Sequence, residues 1–270
     1  MAEIIKMDNA GMVVIHEPEV CDVMLHFLRP GMCAVDAGAN DGYFTGFMSE
    51  LVGENGVVIA FEPDKALFER LSKNTEELSN VTLRREALWS IDCPMEFHRA
   101  SESGYSSFIK YDNINVESYM VAARSLDTLL LSPHPQFVKI DCEGADEHVL
   151  HGAERILRRG VECVTCEINF YINHKLGCSE QTLRDYMGNL GYDCFLLEDK
   201  RKPLLIRPED AITVTGRGMS LVNAMFAKRA KVEELWQYDC RDDLQFRLTV
   251  ENHLSKQGVR TGPQLAVGRR

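Results

Sequence analysis

The stretch Val35-Asp36-Ala37-Gly38-Ala39-Asn40-Asp41-Gly42 most constrains what this chain can fold into. An apolar run, Met32 to Val35, leads into it and reads as a buried strand. Behind it, Tyr43 to Leu51 carries apolar residues at three- and four-residue spacing, the period of a helix. The glycines therefore sit in a strand-to-helix turn. Gly38 can take backbone angles closed to other residues there and lets a ligand approach the main chain. Gly42 removes a side chain where the helix begins. A second strand, Val57 to Phe61, runs into Glu62-Pro63-Asp64.

An acidic residue at the end of the second strand suits a ribose, because its carboxylate can accept bonds from both hydroxyls. The turn departs from the G-x-G-x-x-G of dinucleotide enzymes, since Asn40 stands where the second glycine would admit a pyrophosphate. That points away from NAD and toward a nucleoside without phosphates, a description S-adenosylmethionine fits. A purely structural turn is the alternative for the glycines alone; Glu62 favours a nucleoside.

The remaining chain alternates strands and helices. Lys65 to Glu77 is expected to be an amphipathic helix with Leu67, Phe68 and Leu71 inward. Strands are expected at Val81–Leu88, Phe137–Cys142 and Val161–Ile168, with a further short one at Met95–Arg99. Helices are expected at Val20–Leu28, Arg124–Leu131, Ala145–Leu157 and Ser179–Leu190. Cys194–Leu197 and a run from Ile212 into Val222–Phe226 supply the last strands. Such alternation implies an α/β fold with a mostly parallel, doubly wound sheet, whose ligands sit outside the carboxyl ends of the strands. Ser101 to Asn115 is rich in Ser, Gly, Tyr and Asn, the composition of a loop lying over a site.

In domain terms, residues 1–31 read as a hairpin (Ile4 to Ile15) and a helix. Residues 32–228 form the nucleoside-binding domain. Residues 229–270 form a C-terminal extension with a strand-like Leu244–Val250 and a flexible tail from Gly258.

The chain has 270 residues and a formal net charge of −11, which argues against a nucleic-acid backbone as partner. No secretory signal or membrane-length apolar run is visible, and the nine cysteines are scattered and odd in number. A cytoplasmic protein with reduced thiols is the expectation. Cys163 and Cys166 form a C-x-x-C, but in a strand they would face opposite sides and read as core thiols.

Carboxylates gather at later strand ends. The fourth strand reads Lys139-Ile140-Asp141-Cys142-Glu143-Gly144, and the fifth ends in Glu167 and Asn169. Helix capping is the bland reading for Asp141 and Glu143. The chemical reading makes Asp141, Glu143 and Glu167 a cluster that works as general base. Alternatively Asp141, Glu167 and Asn169 hold a divalent cation such as Mg²⁺ through oxygen. His148 and His151 read as surface residues; His174, in a loop after the fifth strand, is a further acid–base candidate.

These segments together resemble the FkbM family of S-adenosylmethionine-dependent methyltransferases. The resemblance rests on Val35 to Gly42 with Phe61-Glu62-Pro63, on Ser125-Leu126-Asp127-Thr128-Leu129-Leu130, and on Lys139 to Asp146 continuing through Val149-Leu150-His151-Gly152-Ala153. It spans roughly Met32 to Asn169, more loosely to Lys228, and Lys-Ile-Asp-x-Glu-Gly is its specific part. Asp41 and Cys142 depart from residues frequent in the family. The resemblance implies a Rossmann-like class I methyltransferase with an antiparallel last strand. It implies methyl transfer to oxygen on a sugar or secondary metabolite, so the expected partner is a small-molecule or glycan acceptor, with neither nucleic acid nor membrane. Cofactor contacts are implied for Asp36, Gly38, Asn40, Asp41, Gly42, Glu62, Pro63, Ala87 and Asp141. A cofactor-binding module without catalysis, or a nicotinamide-dependent oxidoreductase, are the competing readings. The acidic strand ends count against the first and Asn40 against the second.

Overall fold

A computed structural model describes residues 6–7, 13–14, 17–100, 106–110, 116–129, 132–197, 202–210, 212–215, 221–237, 246–251 and 264–269. The chain opens with a short antiparallel pair, β1 (Lys6–Met7) and β2 (Val13–Val14), and helix α1 (Pro18–Phe27). Next come β3 (Cys33–Ala37), α2 (Tyr43–Val52), β4 (Val57–Phe61), α3 (Lys65–Asn74) and β5 (Val81–Arg84). Three strands then form a small separate sheet: β6 (Ala87–Leu88), β7 (Cys93–Ala100) and β8 (Val116–Arg124). The main sheet resumes with β9 (Phe137–Ile140), followed by α4 (Asp146–His151), α5 (Glu154–Arg158), β10 (Cys163–Asn169), α6 (Phe170–Lys175), α7 (Glu180–Asn189), β11 (Asp193–Leu196) and β12 (Leu204–Ile206). Last are β13 (Ile212–Thr215), β14 (Leu221–Ala227), α8 (Arg229–Trp236), β15 (Phe246–Glu251) and β16 (Gln264–Arg269).

The eight-stranded sheet runs β12-β11-β14-β10-β9-β3-β4-β5. β3, β4, β5, β9 and β10 pair in parallel, whereas β14 lies antiparallel between β10 and β11. This is the expected mostly parallel α/β sheet with its antiparallel late strand; β12 adds a second at the edge. The chain starts at β3, moves outward through β4 and β5, then returns to β9 on the other side. The order reverses between β3 and β9, where the carboxyl ends open a crevice.

Period-two alternation divides the core. Val35, Val138 and Val164 face a layer with α4, α5 and α7, while Ala34, Phe137 and Cys163 face α1, α2 and α8. Both faces are buried, which is why β3, β9 and β10 read as near-continuous apolar runs. Cys163 and Cys166 fall in different layers, as core thiols. Val20, Met24 and Phe27 of α1 belong to the second layer, and His26 stacks on Trp236 of α8 with ring centroids 4.0 Å apart.

Several elements differ from expectation. The expected Val81–Leu88 strand divides, with Val81–Arg84 in the main sheet and Ala87–Leu88 in the small one. β8 was not expected; Ser118, Met120 and Ala122 on one face are exposed and the other face is only partly buried, so no polar–apolar alternation marks it. Residues 126–129 form a turn rather than a helix. The expected Ala145–Leu157 helix breaks at Gly152, where a Cβ would lie 2.1 Å from the Trp89 carbonyl oxygen. Ile212–Thr215 pairs with β15 instead of continuing into β14, and Gln264–Arg269, read from sequence as tail, pairs with β15 too. Of the expected 101–115 loop, residues 101–105 and 111–115 lie outside the described residues, as do the hairpin turn at 9–11 and residues 130–131.

Candidate active site

A cleft, partly open to solvent, lies at the reversal point. Four of the parallel strand ends contribute: Gly38 and Asn40 after β3, Glu62 and Pro63 after β4, Glu86 and Ala87 after β5, and Asp141, Cys142 and Glu143 after β9; the end of β10 does not. Phe61, Leu67 and Leu88 add apolar wall, and Phe97, Ser106, Ser107 and Phe108 close the side formed by the small sheet.

The glycine turn is shaped by packing. Gly38 and Asn40 have φ of 79° and 53°, and the amides of Gly38 and Ala39 both donate to the Phe61 carbonyl, at 3.0 and 2.9 Å. A Cβ on Gly38 would lie 2.0 Å from the carbonyl oxygen of Asp141. The glycine is thus required where β3 and β9 end side by side. Gly42 (φ 94°) has a similar duty: a Cβ there would meet the Leu71 side chain of α3 at 2.8 Å.

Glu62 is buried, and both of its oxygens are engaged by backbone. One accepts from the Asn40 amide at 2.9 Å, the other from the Asp64 amide at 2.8 Å. Burial lifts its carboxyl to about 7, against the pull of those two amides. Each oxygen retains a lone-pair direction for a hydroxyl in the cleft.

A buried ionic row lies beneath the far end. Asp36 on β3 and Lys139 on β9 are register partners and face the same side. Thr45 of α2 donates to Asp36 at 2.6 Å. The Lys139 ammonium lies 3.9 Å from Asp36 and 3.1 Å from Asp141, and 4.6 Å above the Phe44 ring. Burial acts to discharge Lys139, but the Asp141 and Asp36 carboxylates outweigh it and raise its pKa. Desolvation drives Asp36 upward, opposed by Lys139 and Thr45. Glu167 continues the row on β10: it is 6% exposed, and burial followed by the charges of Asp141, Glu143 and Glu17 pushes its carboxyl well above the usual range.

Among the nine cofactor candidates, Gly38, Asn40, Glu62, Pro63, Ala87 and Asp141 line the cleft. Asp36 lies fully buried below it, Asp41 accepts through its carbonyl from Asn74 at 2.7 Å, and Gly42 packs on α3. Asp141 and Glu143 reach the cleft; Glu167 sits beside Asp141 without lining it. His174 is exposed in the last turn of α6 and outside the cleft lining. His148, expected on the surface, is half-buried and stacks on Trp89 at 3.9 Å. Asn169 is fully buried at the end of β10. Among the described residues no group of three or more His, Cys, Asp or Glu is arranged to hold a metal ion.

Sequence reasoning missed Lys139 as a site residue, although a lysine inside an apolar strand two residues before Asp141 is a visible signal. Leu67 and Phe97 had none, because neither carries a motif; Phe108 falls in the 101–115 stretch whose composition did point to the site.

The chain matches the Methyltransferase FkbM domain over residues 36–194. Among curated proteins no significant match is found. Among solved structures, it resembles the FkbM methyltransferase of Methylobacillus flagellatus KT at 15% identity and a TM-score of 0.45, covering 76% of this chain and 50% of that one. The chain thus spans half the length of that relative. A methyltransferase from Streptococcus mutans in complex with SAH is similar at 12% identity and a TM-score of 0.47, over 79% of this chain and 98% of the other. A SAM-dependent O-methyltransferase from Thermotoga maritima aligns at 11% identity and a TM-score of 0.43, over 82% and 69%.

Proposed function

Because this chain belongs to the FkbM methyltransferase family, we propose that it transfers the methyl group of S-adenosylmethionine to a hydroxyl oxygen of a sugar or secondary metabolite. The observation that carries the reading is the single cleft joining Glu62, at the end of β4, to Asp141, at the end of β9. It has a seat for a ribose at one end and a lysine-anchored carboxylate at the other.

S-adenosylmethionine fits these residues. Glu62 would hold the ribose hydroxyls, Ala87 and Leu88 would flank the base, and the turn at Gly38 and Asn40 would pass beneath the remainder. When bound, the cofactor supplies a methyl carbon on a positively charged sulfur, already an activated leaving group. The protein has to align an acceptor oxygen and receive its proton. Asp141 is the residue for that proton: its position is fixed by Lys139 at 3.1 Å and by its own amide, which donates to Ala37 at 2.9 Å. Asp141 would take the proton of the acceptor hydroxyl as its oxygen attacks the methyl carbon; the cofactor's sulfur would leave with the carbon–sulfur electron pair. Glu167, whose charged form is disfavoured by burial, backs Asp141 from outside the cleft; Glu143 borders the same end.

A divalent cation does not fit. Lys139 already supplies the positive charge at Asp141, and burial and the charges of Asp141 and Glu143 disfavour the charged Glu167 that a cation would need. The acceptor is a small molecule or glycan; the net charge of −11 disfavours a nucleic acid.

Mass spectrometry of hydroxylated sugars and metabolites incubated with protein and S-adenosylmethionine tests the reading. A gain of one methyl group on oxygen supports it. Binding of S-adenosylhomocysteine without transfer to any hydroxyl, but with transfer to nitrogen or carbon acceptors, would overturn the choice of oxygen.

A further inference from the structure

The small sheet sits against the cleft through one buried carboxylate. Asp64 is 1% exposed and follows the ribose residue by two positions. Its amide donates to Glu62 at 2.8 Å. One carboxylate oxygen accepts from the Leu67 amide at 2.9 Å and so caps α3. The other accepts from the Tyr119 hydroxyl at 3.1 Å and lies 3.0 Å from the Arg99 guanidinium. Asp64 therefore ties three things together: the ribose seat, the helix behind it, and both strands of the β7–β8 hairpin.

The same hairpin face forms the roof. Phe97 and Arg99 are two apart on β7 and share a face; Tyr119 is the register partner of Phe97, with ring centroids 5.9 Å apart. Phe97 and Phe108, which line the cleft, meet edge to face at 5.8 Å. A shift of Tyr119 or Arg99 is thus a shift of Phe97. An uncompensated carboxylate at this depth would be costly, so Asp64 holds the hairpin in one place rather than many.

We propose that Asp64, Tyr119 and Arg99 are positioning residues: a latch that couples the hairpin roof to Glu62, so that cofactor affinity depends on residues that do not touch the cofactor. This rests on the reading that the cleft binds the nucleoside of S-adenosylmethionine.

The test compares wild type, Tyr119→Phe, Arg99→Gln and the conservative Arg99→Lys in full-length protein. S-adenosylhomocysteine affinity is measured by calorimetry well below each variant's unfolding temperature. Trp89, edge-on to Phe108 at 5.2 Å, reports the roof by its fluorescence in a Trp236→Phe background. Tyr119→Phe and Arg99→Gln are each expected to weaken binding by roughly tenfold. Both should also diminish the change in Trp89 emission at saturating ligand, and Arg99→Lys should recover most of the affinity. A merely structural role would lower the unfolding temperature while leaving affinity and Trp89 response at wild-type values, and that result overturns the latch. Failure of wild type itself to bind S-adenosylhomocysteine overturns the cofactor reading, and the latch with it.

Discussion

Glu62 has a carboxyl raised from 4.5 to about 7 by burial, and the direction of its pH effects follows. The folded protein holds this proton over a range where the unfolded chain has released it. Its contribution to stability is therefore complete below pH 4.5 and is lost as pH rises through about 7. Ribose hydroxyls donate best to the charged form, so affinity for S-adenosylhomocysteine should rise from pH 6 toward pH 8 by roughly tenfold. Titration calorimetry across that range checks it; Glu62→Gln should flatten the profile, and a wild-type profile that is already flat would remove Glu62 from the site. At fixed pH, Glu62→Ala should cost on the order of 1.5–3 kcal/mol of binding. Gly38 invites a different experiment. Its glycine signal was plain in the sequence and pointed to a ligand, but the atom a side chain would strike is the Asp141 carbonyl oxygen, 2.0 Å away. With φ at 79° as well, Gly38→Val should lower the unfolding temperature of the ligand-free protein by on the order of 10 °C. Calorimetry that finds the transition unmoved would return the residue to a purely ligand-facing role.

Elements were legible where period and punctuation agreed. α3 begins where expected because Asp64 caps it, and it buries Leu71. β3, β9 and β10 are apolar runs bounded by the motifs themselves. The break between α4 and α5 was invisible because both halves carry helical spacing. The tight spot is Gly152 against Trp89, and its carbonyl accepts from the Asp127 amide at 2.9 Å and the Ser125 hydroxyl at 2.7 Å. Gly152→Ala should cost about 1–3 kcal/mol by overpacking, a shift of a few degrees in thermal unfolding. An unchanged transition would mean the helix break has room to relax. For the roof, the Ser- and Gly-rich composition of 101–115 suggested a covering loop, and residues 106–108 do line the cleft. Amide exchange across 106–110 should slow when S-adenosylhomocysteine is added; equal protection with and without ligand would mean that this segment is wall and not lid.

The whole molecule sets the Lys139 ammonium 3.1 Å from Asp141, and a prediction about activity follows. Chelating agents should leave methyl transfer intact, whereas Asp141→Asn should lower turnover by about 10²–10⁴-fold, the range for general-base catalysis. Activity abolished by chelation and restored by magnesium would reverse the assignment. By itself the sequence determined the α/β class, the glycine turn, and the strand-end carboxylates Glu62 and Asp141. Each is a local consequence of chain period, turn chemistry and sheet polarity, which act over a few residues. It determined the antiparallel late strand only through family resemblance. Tertiary structure alone decided which candidates share a cleft and which lie outside it, as Asp36, Asp41, Gly42 and His174 do. It also decided that Lys139 stands between Asp36 and Asp141, and that Asp64 reaches Tyr119 and Arg99. Apart from Lys139 and Asp141, two apart on one strand end, these pairings join residues 35 to 103 positions apart. Sheet register and layer packing fix them, and no local pattern in a single chain encodes either.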